Sequence, residues 1–76
     1  MIVYRICYLK RVLPDELNNL QLPHGLSLAS DVNYHYYQGD TYFNVTPENH
    51  LEPTQLKESL RNTQFRFVCE VSGQVP

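Results

Sequence analysis

Two runs of strand-forming residues, Val32-Asn33-Tyr34-His35-Tyr36-Tyr37 and Thr41-Tyr42-Phe43-Asn44-Val45-Thr46, flank Gln38-Gly39-Asp40. β-Branched and aromatic side chains suit the pleated strand. Glycine supplies the positive φ of a tight turn at no steric cost. The segment therefore predicts a tyrosine-rich β-hairpin. With Gly39-Asp40 as a two-residue loop, Gln38 faces Thr41, Tyr37 faces Tyr42, Tyr36 faces Phe43 and His35 faces Asn44. Alternation then puts Tyr34, Tyr36, Phe43 and Val45 on one face, the core candidate. Asn33, His35, Tyr37, Tyr42, Asn44 and Thr46 share the other. A three-residue loop would shift the pairing by one and mix those sets; the two-residue turn separates apolar from polar more cleanly.

The flanking chain supplies the other elements. Ile2 to Leu13 reads as a first strand whose alternating faces (Ile2, Tyr4, Ile6, Tyr8 against Val3, Arg5, Cys7, Leu9) are neither wholly polar, as in a central strand covered on both sides. Pro14-Asp15-Glu16-Leu17 has the proline and the acids of a helix start, with Leu17, Leu20 and Leu13 as an apolar stripe. Pro23 and Gly25 end that helix, and His24 to Asp31 reads as a loop pinned by Leu26 and Leu28. Thr46-Pro47-Glu48 offers a cap for one helical turn, but Pro53 interrupts it. A second helix is expected over 53–62, with Leu56 and Leu60 four apart. Gln64 to Val71 is a clean strand, with Phe65, Phe67, Cys69 and Val71 inward, Gln64, Arg66 and Glu70 outward, and Val68 the exception. Ser72 to Pro76 is a polar tail.

Strand, short helix, strand, strand, helix, strand is the βαββαβ order of a ferredoxin-like two-layer α+β sandwich, with helices on one face of an antiparallel sheet. A looser α+β meander with one long helix is the alternative.

Size and charge then bound the function. The 76 residues make a single domain, 1–76, too short for most enzyme scaffolds. Six Lys+Arg against eight Asp+Glu give a net charge of −2, which is no general footprint for nucleic acid or an anionic membrane. A hydrophobic fraction of 42% argues against a disordered chain. No segment approaches the roughly 18 apolar residues of a membrane span, and no secretion signal is seen. The expectation is a cytoplasmic protein without membrane partners, in which Asn44-Val45-Thr46 is an incidental glycosylation pattern. Cys7 and Cys69 read as buried thiols; a disulfide joining the first and last strands is the alternative.

No chemical motif stands out. His24, His35, His50, Cys7 and Cys69 lack metal-ligand spacing. His24, Ser27 and Asp31 lie close in sequence without a nucleophile turn. Asp15-Glu16 has a structural reason at a helix start. Gly25, Gly39 and Gly73 are isolated, so no glycine-rich phosphate cradle forms. The expectation is a protein that is not an enzyme and uses no cofactor.

The element order resembles that of RNA-recognition-motif domains, which stack bases on aromatics of two central strands. Gln38 to Val45 falls where their consensus is K/R-G-F/Y-G/A-F-V-x-F/Y, and Gly39 and Tyr42 match it. Gln38 replaces the basic residue and Asp40 stands where an aromatic would stack. The resemblance covers element order and those two positions. An acid there, in a mildly acidic chain, opposes phosphate.

The hairpin carries the functional expectation. Cross-strand aromatic pairs stabilise sheets, which is reason enough for tyrosines in strands. Tyrosine also offers large contact area with only two torsions to immobilise, which suits a binding surface. Tyr37 and Tyr42 are expected to anchor a partner, with His35 and Asn44 hydrogen-bonding beside them. Asp40 and Glu48 would suit a basic surface. The sequence thus predicts a small protein-binding module, such as an inhibitor of phage or mobile-element type covering a basic surface of a nucleic-acid-handling protein. Single-stranded RNA binding on the sheet face, and a homodimeric structural subunit, are the alternatives.

Overall fold

Strand β4, Asp40–Pro47, organises the sheet: three other strands pair with it. The computed structural model describes residues 2–23 and 25–71. Within them the elements are β1 (Tyr4–Tyr8), α1 (Pro14–Leu17), β2 (Leu26–Leu28), β3 (His35–Tyr37), β4, α2 (Pro53–Ser59) and β5 (Phe65–Glu70). All pairings are antiparallel, in the order β2-β4-β1-β5, with β3 also on β4. β1 is central, as its two half-apolar faces predicted. The expected polar tail, 72–76, lies outside the described residues.

The chain is a small α+β fold with a five-stranded antiparallel sheet and two short helices, and its strand order does not reproduce the expected βαββαβ sandwich strand for strand. The difference arises beside β4. At eight residues, β4 is longer than β3 can cover, and Leu26–Leu28 pairs with its far part, Val45 to Pro47. That segment was expected to be loop; three residues are too few for alternation to announce a strand. Conversely, Val32 to Tyr34 does not join β3. The Ala29 N–H reaches the Asn44 carbonyl at 3.1 Å and the Asn44 N–H reaches the Val32 carbonyl at 2.8 Å, which leaves Ser30 and Asp31 looped out. Asn33 then turns the chain with a φ of 45°.

Both helices begin with proline in the first turn, where a missing N–H costs nothing. The N–H before each is held by the side chain three residues on: Leu13 by Glu16 at 3.0 Å and Glu52 by Gln55 at 2.9 Å. α2 stops at Ser59 rather than Asn62, with Leu60 as its C-cap. Leu17, Leu56 and Leu60 pack with Tyr4, Ile6, Phe43, Val45, Leu26 and Phe65 in one core. Each fully buried large apolar side chain contributes about 1.5–3 kcal/mol. The Tyr4 phenol donates to the Leu51 carbonyl and ties the α2 approach to β1.

Tyr34 and Tyr36, expected in the core, are not there. Tyr34 is 42% exposed and Tyr36 half-buried. They sit at the sheet margin, Tyr36 on the edge strand β3 and Tyr34 just before it. Tyr36 is held from the side instead: its phenol donates to the Val12 carbonyl and the Arg11 guanidinium lies 4.6 Å from its ring centre.

β5 also departs from expectation. A bulge shifts the register so that Arg5 faces Cys69 while Ile6 faces Phe67, leaving Val68 as the extra residue. Phe65 and Phe67 stay inward, but Cys69 is turned out and exposed. Cys7 is buried, and both thiols are free.

Candidate binding face

Alternation divides the sheet into a helix-covered face and a helix-free one, here called the open face although Cys7 and Asn44 on it are buried. Tyr4, Ile6, Phe43 and Val45 belong to the core, so Arg5 and Cys7 of β1 and Tyr42 and Asn44 of β4, their cross-strand partners, point the other way. β3 places His35 opposite Tyr42 and Tyr37 opposite Asp40 on that same side.

This register corrects the expected one. The loop residues are Gln38 and Gly39, with φ of 51° and 85°, the two positive values that a type I′ turn requires. Glycine thereby takes the second central position, where the Gly39-Asp40 loop would have forced aspartate into the left-handed region. The pairing moves by two residues, so face membership is unchanged. Tyr37 and Tyr42 are diagonal neighbours rather than opposite.

The rings make a compact group. The His35 imidazole stacks on Tyr42 with centroids 5.1 Å apart and planes 8° from parallel. Tyr37 meets Tyr42 edge-on, with 6.3 Å between centroids. The Arg5 guanidinium crosses from β1 to contact His35 Nδ1 at 3.2 Å and donates to the Asn33 carbonyl at 3.4 Å. Tyr37 is 59% exposed, so the group presents a ring to solvent while its other members are held.

Asn44, expected to hydrogen-bond to a partner, is buried and serves the fold: its Nδ2 donates to the Asp31 carbonyl at 3.1 Å and fixes the looped-out segment. Asp40 is half-buried at the hairpin end of the face. Glu48 lies at the opposite end of β4, its N–H bonded to the Gly25 carbonyl at 2.9 Å.

Sequence reasoning missed the cations. Arg66 faces Cys7 across β1 and β5, so two arginines share the open face with the aromatic group. The signal was present: Arg5 falls in the same alternating set as Cys7, and Arg66 on the outward side of its strand. Burial raises the Cys7 thiol above its ordinary value, aided by Asp40 and opposed by Arg66. Loss of water also raises the Tyr42 phenol, with lesser effects from Cys7, Asp40 and Tyr37. Both groups are therefore neutral near neutral pH.

Among the described residues the structure does not bring the sequence neighbours His24, Ser27 and Asp31 together as a triad. Ser27 lies on β2, the Asp31 carbonyl is bonded to Asn44, and His24 lies outside the described residues. Among the described residues no three His, Cys, Asp or Glu side chains gather as a metal site, and no helix is long and apolar enough to cross a membrane. An open depression of about 480 Å³ is lined by residues including Tyr8, Lys10, Arg11 and Glu16. In comparisons with protein-family models, curated proteins and solved structures, nothing matches this chain.

Proposed function

We propose that the chain is a small non-enzymatic protein-binding module that docks a larger protein on the helix-free face of its sheet. The observation that supports this reading is the ring group: Tyr37 is exposed while Tyr42, His35 and Arg5 brace it. A braced aromatic side chain loses little entropy on binding, and such residues dominate contact energies. An inhibitor is one protein of this kind. The fold reads as a ferredoxin-like sandwich whose edge strand is broken into β2 and β3, a reading supported by both halves pairing with β4.

The test is affinity capture from the source cell with the wild-type chain and with His35→Ala/Tyr37→Ala. Both positions are exposed, so the variant should fold. Recovery of a specific partner should fall by about tenfold or more. Equal recovery by a variant with unchanged circular dichroism would sink the reading.

Single-stranded RNA is the second reading, favoured by the exposed His35 ring beside Arg5. Binding of short oligonucleotides that weakens with salt would support it. Asp40 on the same face weighs against it.

A further inference from the structure

An open sheet has two outer edges, and an unpaired edge is a template for another strand. On the β4 side the edge is made of β2 and β3, three residues each, and edge strands that short pair poorly. The other edge is β5, six residues long, which among the described residues has a neighbouring strand on one side only.

The pairing shows which backbone groups of β5 point outward. The Leu9 N–H bonds the Gln64 carbonyl at 2.8 Å, so Gln64 directs its backbone toward β1. In an antiparallel pair that direction alternates. Phe65 and Phe67, opposite Tyr8 and Ile6, therefore turn N–H and carbonyl away from β1. Phe65 is already served at both: its N–H donates to Thr63 Oγ1 at 3.0 Å, and its carbonyl accepts from Arg66 Nη1 at 2.7 Å. The same Nη1 donates to the Thr63 carbonyl at 2.6 Å. Arg66 thus leaves β5 opposite Cys7 and ends with its guanidinium folded over the outer edge. Immediately after Phe67, the bulge at Val68 breaks the repeat.

An incoming strand needs successive outward residues at a regular spacing of two. Here the first is occupied and the series breaks after the second. Arg66 belongs to neither ion pair among the described residues, so it carries a full charge to the edge that an added strand would have to desolvate.

We propose that Arg66 is a self-blocking contact that closes the β5 edge, and that its hold on the Thr63 and Phe65 carbonyls keeps the sheet from extending onto a second copy of this chain. The bulge at Val68 completes the block. This goes beyond the protein-binding reading and stands without it.

The test compares the wild-type chain with Arg66→Ala in reducing buffer, which keeps exposed Cys69 from cross-linking copies. Arg66→Thr, a strand former too short to reach the Thr63 carbonyl, is the second variant should alanine fail to fold. Sedimentation equilibrium from micromolar to millimolar concentration gives the mass in solution, and amide hydrogen exchange locates any pairing. The wild-type chain should show no added protection at Phe65 or Phe67 as concentration rises. The folded variant should associate about tenfold more tightly than wild type or better, and gain protection at those two amides. A folded variant that associates no more than wild type overturns the proposal. So does a wild-type chain that already pairs through β5, or association of the variant that protects only the β2 and β3 edge.

Discussion

The Arg5 guanidinium approaches His35 Nδ1 at 3.2 Å, across the width of β4. Arginine can only donate, so the imidazole accepts at Nδ1 and carries its proton on Nε2. Long-range ¹H–¹⁵N spectra of the neutral ring should therefore show the Nε2–H tautomer. Arg5→Gln should return the ring to a mixture of tautomers and loosen its stack on Tyr42. An Nδ1–H ring in the wild-type chain would mean that the contact is not a hydrogen bond.

The turn makes a second prediction. Gly39 has a φ of 85°, with open space where a Cβ would stand, so Gly39→Ala would meet backbone strain and no collision. The cost should be about 1–2 kcal/mol. Gln38 also has a positive φ, of 51°, and Gln38→Asn, a residue that tolerates this region, should be stabilising by a few tenths of a kcal/mol. Urea midpoints of the two variants would check the pair, and opposite signs are the expected result.

How much of this was legible beforehand depended on which rule each feature obeyed. Face membership in the hairpin was readable because period two survives a two-residue error in register. Burial was not, because Tyr34 lies just before the edge strand β3, and alternation contains no information about which strand becomes an edge. The bulge was half-legible: Val68 broke the pattern of its strand, but the sequence did not say that the break would turn Cys69 outward. Arg5 and Arg66 were visible as outward residues, yet only the register unites them with His35 and Tyr42 on one surface.

Thr41 is fully buried, and its hydroxyl both donates to the Lys10 carbonyl at 2.8 Å and accepts from the Val12 N–H at 3.0 Å. It thereby satisfies two backbone groups of the segment that leaves β1. Thr41→Val keeps the shape and removes both bonds, so denaturant unfolding should show a loss of about 1–3 kcal/mol. Thr41→Ser keeps the hydroxyl and removes one methyl group, a loss of about 1 kcal/mol. A valine variant as stable as wild type would show that water replaces the hydroxyl.

Alkaline pH should unfold the chain through groups whose neutral forms the fold prefers. Burial raises the Cys7 thiol above its ordinary 9.0 and the Tyr4 phenol above its ordinary 10.0, with Glu70 and Glu52 adding to the latter. The unfolded chain thus releases these protons at lower pH than the folded one does. Stability is fully present below the unfolded values and falls as pH rises through them toward the folded ones. Urea midpoints should stay level to near pH 9 and then decline, starting with Cys7. Cys7→Ala should remove the earliest part of that decline and leave the part due to Tyr4 and Tyr42. The same burial predicts thiol kinetics. Exposed Cys69 should react with a disulfide reagent at once, and Cys7 only as fast as the sheet opens. Two equally fast thiols in folded protein would show that Cys7 is not shielded by its burial.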